Sequence, residues 1–99
     1  MELTKKHMLY LKKLAHHTPV TFHIGKNGIT ENTIKAVSDY LKAHEYMKIK
    51  VNELPEDITI KDMAKEISEK TSSILVQTLG HTIVLFKRNP QNVKIRFDE

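Results

Sequence analysis

Apolar and polar residues follow two rhythms along this chain, one of every third or fourth residue and one of every second. Met8, Leu11, Leu14 and Ala15 recur at helical spacing behind Thr4, a residue suited to an N-cap, and predict a first helix to about His17. Thr18-Pro19 ends it, because proline disfavours helical dihedrals in the residue before it. Val20, Phe22 and Ile24 then alternate with Thr21 and His23, the period of a half-buried strand, and the run stops at Gly25-Lys26-Asn27-Gly28. Thr30 caps a second helix, with Ile34, Val37 and Leu41 as its apolar stripe to about His44. Met47, Ile49 and Val51 alternate with Lys48 and Lys50, giving a second strand with one buried and one cationic face. Strand, helix and strand of these lengths imply a right-handed parallel crossover.

A polar loop from Asn52 to Asp57, containing Pro55, leads to Thr59 and Asp62, spaced as a capping box before Ile60, Met63, Ala64 and Ile67. Thr71-Ser72-Ser73 closes this third helix. Residues 74–79 and 82–87 read as strands, and Gly80-His81 between them is short enough to make an antiparallel hairpin. In the tail, Val93, Ile95 and Phe97 alternate with Lys94 and Arg96, which fits either a short edge strand or an extended arm. The order α-β-α-β-α-β-β predicts an α/β fold. It would be a compact two-layer sandwich of a mixed four-stranded sheet and three helices, in a single domain over residues 1–97.

At 99 residues the chain suffices for one small core. Cysteine is absent, which excludes disulfides and thiolate metal sites and suits a reducing compartment. No segment has the apolar run of a signal peptide or a membrane span, so a soluble cytoplasmic protein is expected. Sixteen Lys and Arg against twelve Asp and Glu give a net charge of +4, too small an excess to signify by itself. Its distribution is more informative. From Leu3 to Thr30 the charged residues are Lys5, Lys6, Lys12, Lys13 and Lys26, and from Lys70 to Phe97 they are Lys70, Lys87, Arg88, Lys94 and Arg96. Glu53, Glu56, Asp57, Asp62, Glu66 and Glu69 crowd the middle. If the two ends converge, the domain has one positive side.

Gly25-Lys26-Asn27-Gly28 is the most suggestive stretch. Flexible glycines, the backbone N–H groups of a helix start and the Lys26 ammonium share a small space that suits an anion. The plain alternative is a turn that needs positive φ. It is not a Walker loop, which requires Gly-Lys-Ser/Thr, nor a dinucleotide fingerprint, which requires a third glycine. Lys12, Lys26, Lys50 and Arg88 come from separate elements, and if they meet, a phosphate backbone is their natural partner.

Other chemistry is excluded more readily. His16, His17 and His23 lack the spacing of a zinc site, since adjacent helical histidines diverge and no His-Glu-x-x-His occurs. Ser38, Ser68, Ser72 and Ser73 have no nucleophile-elbow setting, and Asp62 and Glu66 fit a solvated helix face. No enzyme activity, cofactor or small-molecule substrate is expected. The six aromatic residues Tyr10, Phe22, Tyr40, Tyr46, Phe86 and Phe97 are too scattered for the stacking platform of an RRM-type sheet. Phe22 and Phe86 are assigned to the core, and charge and shape are favoured over base reading.

Several of these pieces together resemble the CRM domain. They are the lysine-rich first helix ending in Leu14-Ala15-His16, then Pro19, Gly25-Lys26-Asn27-Gly28-Ile29-Thr30, Lys48-Ile49-Lys50-Val51, and Gly80 to Arg88. The whole chain is similar to the stand-alone bacterial form, the YhbY family. The resemblance implies an RNA-binding domain associated with precursors of the large ribosomal subunit. It also implies a fold similar to the C-terminal domain of a bacterial translation initiation factor, and a GxxG loop compared with that of KH domains. Carried over by position, the loop is Gly25, Lys26, Asn27 and Gly28, beside a basic surface that includes Lys5, Lys12, Lys13 and Arg88. In KH domains that loop joins two helices, whereas here it follows a strand. The resulting expectation is a monomer that binds ribosomal RNA and assists large-subunit assembly. The alternative is an adaptor whose acidic third helix or sheet edge docks on a ribosomal or translation protein.

Overall fold

A computed structural model describes residues 3–97. The chain runs α1 (Lys5–Leu14), a 3₁₀ turn (Ala15–His17), β1 (Phe22–Ile24), α2 (Glu31–His44), β2 (Tyr46–Val51), α3 (Ile60–Lys70), β3 (Ile74–Leu79) and β4 (Thr82–Phe86). The strands form one sheet in the order β1-β2-β4-β3, with β1 parallel to β2 and both other pairs antiparallel. The expected element order and mixed four-stranded sheet are present.

Each helix begins where a threonine accepts a backbone N–H. Thr59 and Asp62 form the expected reciprocal box, and Thr30 accepts from the Thr33 amide. Thr4 accepts from His7, and the His7 ring closes the box by accepting the Thr4 amide, a role more often filled by glutamate or glutamine.

Strand alternation sorts the core into two clusters. Met47, Ile49 and Val51 of β2, with Ile83 and Leu85 of β4, pack against Val37 and Leu41 of α2 and Met63, Ala64 and Ile67 of α3. Tyr46, Val84 and Phe86, with Val76, face the other way and receive Leu11 and Ala15 of the first helix. That helix therefore adds a third layer to the two counted from the sequence. Its single apolar stripe suffices because it covers only part of the sheet. The buried Tyr46 phenol donates to the Leu11 carbonyl at 2.6 Å, and burial pushes its pKa up to about 12, so it stays a donor.

The turn from α2 into β2 holds the least anticipated feature. Glu45 sits at φ 66, in the left-handed region usually left to glycine, and its side chain is wholly buried. Oε1 accepts the Lys94 amide at 2.7 Å, the Ile95 amide at 2.9 Å and Arg88 Nη1 at 3.0 Å. Oε2 accepts the Asn89 amide at 2.6 Å and Arg88 Nη1 at 3.1 Å. Burial opposes ionisation, but the three amides and the guanidinium outweigh it and hold the carboxyl below its ordinary range. The tail is thus an extended arm rather than an edge strand, because a side chain has taken the amides a ladder would use. Ile95 and Phe97 pack onto the α1-side cluster, with the Phe97 ring 4.4 Å from that of His7 and 5.6 Å from that of Tyr10.

Two outcomes follow for stability. Glu45→Gln removes the charge while the Arg88 guanidinium remains, and urea unfolding should show a loss of about 3–5 kcal/mol. Because the folded pKa lies below the unfolded one, the stabilisation is complete above the ordinary value of 4.5 and is lost as pH falls through the folded value. Acid titration of the unfolding free energy should therefore decline below that pH in the wild type, and less steeply in Glu45→Gln.

Candidate nucleic-acid interface

Strands β1 and β2 end side by side, with Ile24 opposite Val51, and the chain then enters the Gly25–Gly28 turn. The Gly28 amide donates to the Gly25 carbonyl at 3.0 Å, and Gly28 adopts φ 67, which explains glycine there. Gly25 is different. Its φ is not left-handed, and a Cβ built on it meets no atom within 4 Å, so nothing in the described fold demands glycine at this position. Lys26 and Asn27 at the tip are exposed. The Thr33 hydroxyl donates to the Gly28 carbonyl at 3.4 Å and ties the turn to α2, while Glu31 places a negative charge at that helix's start.

Neighbouring loops brace this end of the sheet. The Asn52 amide donates to the Ile24 carbonyl and the Val51 amide to the His81 carbonyl, both at 2.8 Å, so the turn and the hairpin tip are held together. Lys50 is exposed and pairs with His23, two residues before the turn begins. Lys48 on the same strand is spoken for: its ammonium donates to the Ala15 and Thr18 carbonyls at 2.9 and 3.2 Å, ending the first helix. Beyond that point the outer face of the helix carries Lys5, Lys6, Lys12, Lys13, His16 and His17, all exposed.

Along the fold these exposed positions follow one another: about 20 Å of helical chain, then His16 and His17, then Lys50 two residues beyond Lys48 on β2, then Lys26 in the turn after β1. Neither residues 3–24 nor residues 70–97 include an acid, so the α1-side elements contribute none. Glu53 and Glu56 do stand beside Lys26, across a shallow depression of about 400 Å³ that Leu54 and Pro55 also line.

Arg88 is not part of this gathering. It lies beyond Phe86, and since Thr82 is the β4 residue opposite Lys50 while Phe86 is opposite Tyr46, it sits at the far end of the sheet from the turn. Its Nη1 bonds Glu45 and donates to the Ile95 carbonyl at 2.9 Å, and its guanidinium lies 5.2 and 5.3 Å from the Phe86 and Phe97 ring centroids. Lys87 likewise turns inward, donating to the Thr71 carbonyl at the end of α3.

Among the described residues no group of three or more His, Asp or Glu side chains is placed to hold a metal ion, and no helix is long and apolar enough to cross a membrane.

The chain is 38% identical over 93 residues to the Bacillus subtilis protein named Probable RNA-binding protein YqeI, covering 94% of this chain and 96% of that one. It is 34% identical over 85 residues to a Haemophilus influenzae protein named RNA-binding protein, covering 86% of this chain and 85% of that one. A solution structure of a hypothetical Staphylococcus aureus protein, described as a proposed RNA-binding protein, superposes with a TM-score of 0.76 at 38% identity, over 98% of this chain and all of the other. The model of the CRS1 / YhbY (CRM) domain matches residues 3–87, and the chain belongs to that family.

Proposed function

We propose that residues 1–97 form one RNA-binding domain that associates with precursor ribosomal RNA of the large subunit and assists its assembly. It acts as a monomer in the cytoplasm and catalyses no reaction. The observation that carries this reading is the run of exposed cations from the first helix over Lys50 to Lys26, which meets no acid until Glu53 and Glu56 beside the open glycine turn. The names of the relatives support an RNA partner, and the family's resemblance supports the ribosomal one.

Each part of the site has its own task. Backbone phosphates lie against the turn, where Gly25 lets the strand of RNA approach the peptide amides closely and Lys26 supplies charge. Lys50, Lys12, Lys13 and Lys5 continue the track away from the turn. Glu53 and Glu56 repel phosphate on the other flank of Lys26, which sends the RNA toward α1. Arg88 is reassigned to holding the tail.

Binding to structured ribosomal RNA should weaken linearly with salt on a log-log plot, and Lys26→Glu should weaken it about tenfold or more while lowering the slope by about one. Salt-independent binding, or an unaffected variant, would contradict the phosphate track. The two glycines separate ligand effects from fold effects. Gly28→Ala should cost about 1 kcal/mol of stability through its left-handed φ. Gly25→Ala should leave the melting temperature unchanged yet reduce RNA affinity, as read by thermal melts and filter binding on the same preparation.

A further inference from the structure

The register leaves one cross-strand row open on the α1 side of the sheet. His23 of β1 pairs with Lys50 of β2, Lys50 with Thr82 of β4, and Thr82 with Leu79 of β3. Paired residues point to one face, and Lys50 points away from Ile49 and Val51, which belong to the cluster under α2 and α3. One row further in, Lys48 pairs with Val84, and that is where the chain at Ala15 and Thr18 crosses, held by the Lys48 ammonium. The outer row lies past the end of that cover. His23 and Lys50 are exposed, Thr82 is half-buried, and Leu79 is 62% exposed.

We propose that this row is a platform for an unpaired nucleotide or two of the bound RNA, adjoining the glycine turn. The proposal rests on the RNA reading above and specifies what part of the RNA the site prefers. Neighbouring strands are about 4.8 Å apart, so the four residues span roughly 14 Å, enough for about two bases lying flat. Leu79 offers an apolar surface to a base face, and the His23 imidazole, steadied by Asn52 Oδ1 at 3.3 Å from its Nδ1, offers a second flat surface with a polar edge. Between them the Lys50 ammonium reaches a phosphate and the Thr82 hydroxyl a base edge or sugar.

The mixture selects the ligand. An inorganic anion has no use for an exposed leucine, and an acidic peptide none for a flat imidazole beside it. A duplex cannot use the row either, because its base faces are stacked inside and its deep groove is closed to side chains. Single-stranded RNA has both a phosphate for each lysine and a face for each flat surface. The scarcity of aromatic residues excludes an RRM-type platform without excluding this smaller one.

The test uses the intact protein and two RNA probes, a blunt-ended two-strand duplex and the same duplex with a short unpaired bulge, read by fluorescence anisotropy at one salt concentration. The wild type should bind the bulged probe about tenfold more tightly. Leu79→Ser and His23→Ala should each erase most of that preference and leave affinity for the blunt duplex unchanged, whereas Lys26→Glu should weaken both probes alike. Equal wild-type affinity for the two probes, or variants that weaken both equally, would overturn the platform and leave the phosphate track standing. Binding to neither probe would overturn the RNA reading itself. Thermal melts accompany each variant, and if Leu79→Ser perturbs the hairpin, His23→Ala decides.

Discussion

A wholly buried carboxylate costs several kcal/mol to desolvate unless donors surround it, and Glu45 is surrounded. Three backbone amides and a guanidinium converge on its two oxygens. It also stands at the corner where α2 becomes β2, and its own carbonyl accepts the Lys87 amide at the end of β4. One residue therefore joins a helix end, a strand end and the C-terminal arm. The left-handed backbone at Glu45 costs about 1–2 kcal/mol. That strain is tolerated because the same conformation aims the side chain inward at its donors.

The consequences reach the basic helix. Phe97, delivered by the arm that Glu45 holds, lies against His7 and Tyr10 of α1 and near Phe86 beneath it. The Tyr46 hydroxyl grips the middle of that helix at the Leu11 carbonyl, and Lys48 grips its end. A helix whose outward face carries Lys5, Lys6, Lys12 and Lys13 beside the exposed Leu9 and Tyr10 is thereby fixed at three points along its length. Its charges stand at set distances from the glycine turn instead of drifting with a loosely packed element.

Most of this architecture was legible from periodicity and end signals. Thr4, Thr30 and Thr59 mark the helix starts, Gly80-His81 marks the hairpin, and the alternation from Met47 to Val51 marks β2. Such signals are local, so they survive without knowledge of the fold. The cations were not separable in the same way. Lys48 and Lys50 occupy equivalent positions on one strand face, yet one is half-buried under helix-end carbonyls and the other is exposed. What distinguishes them is where the first helix stops above the sheet, a tertiary fact. Arg88 and Glu45 lie 43 positions apart, and neither has a spacing that announces the other. An isolated glutamate just after a helix looks like an ordinary solvated residue until the arm closes over it.

The family match ends at residue 87, while the arm that clamps the first helix begins just beyond it. Glu45 and Phe86 lie inside the matched region, so the socket belongs to that region, and Arg88 and Phe97 fill it from beyond its end. This division separates two uses of positive charge. Within the matched region, Lys12, Lys26 and Lys50 face water and remain available to a polyanion. In the arm, the Arg88 guanidinium is set between two aromatic rings and a carboxylate, where its charge balances Glu45 and contributes little to the outer field. Sequence charge alone would add Arg88 to the lysines. Its burial against Glu45 instead makes it a structural cation that helps keep those lysines in place.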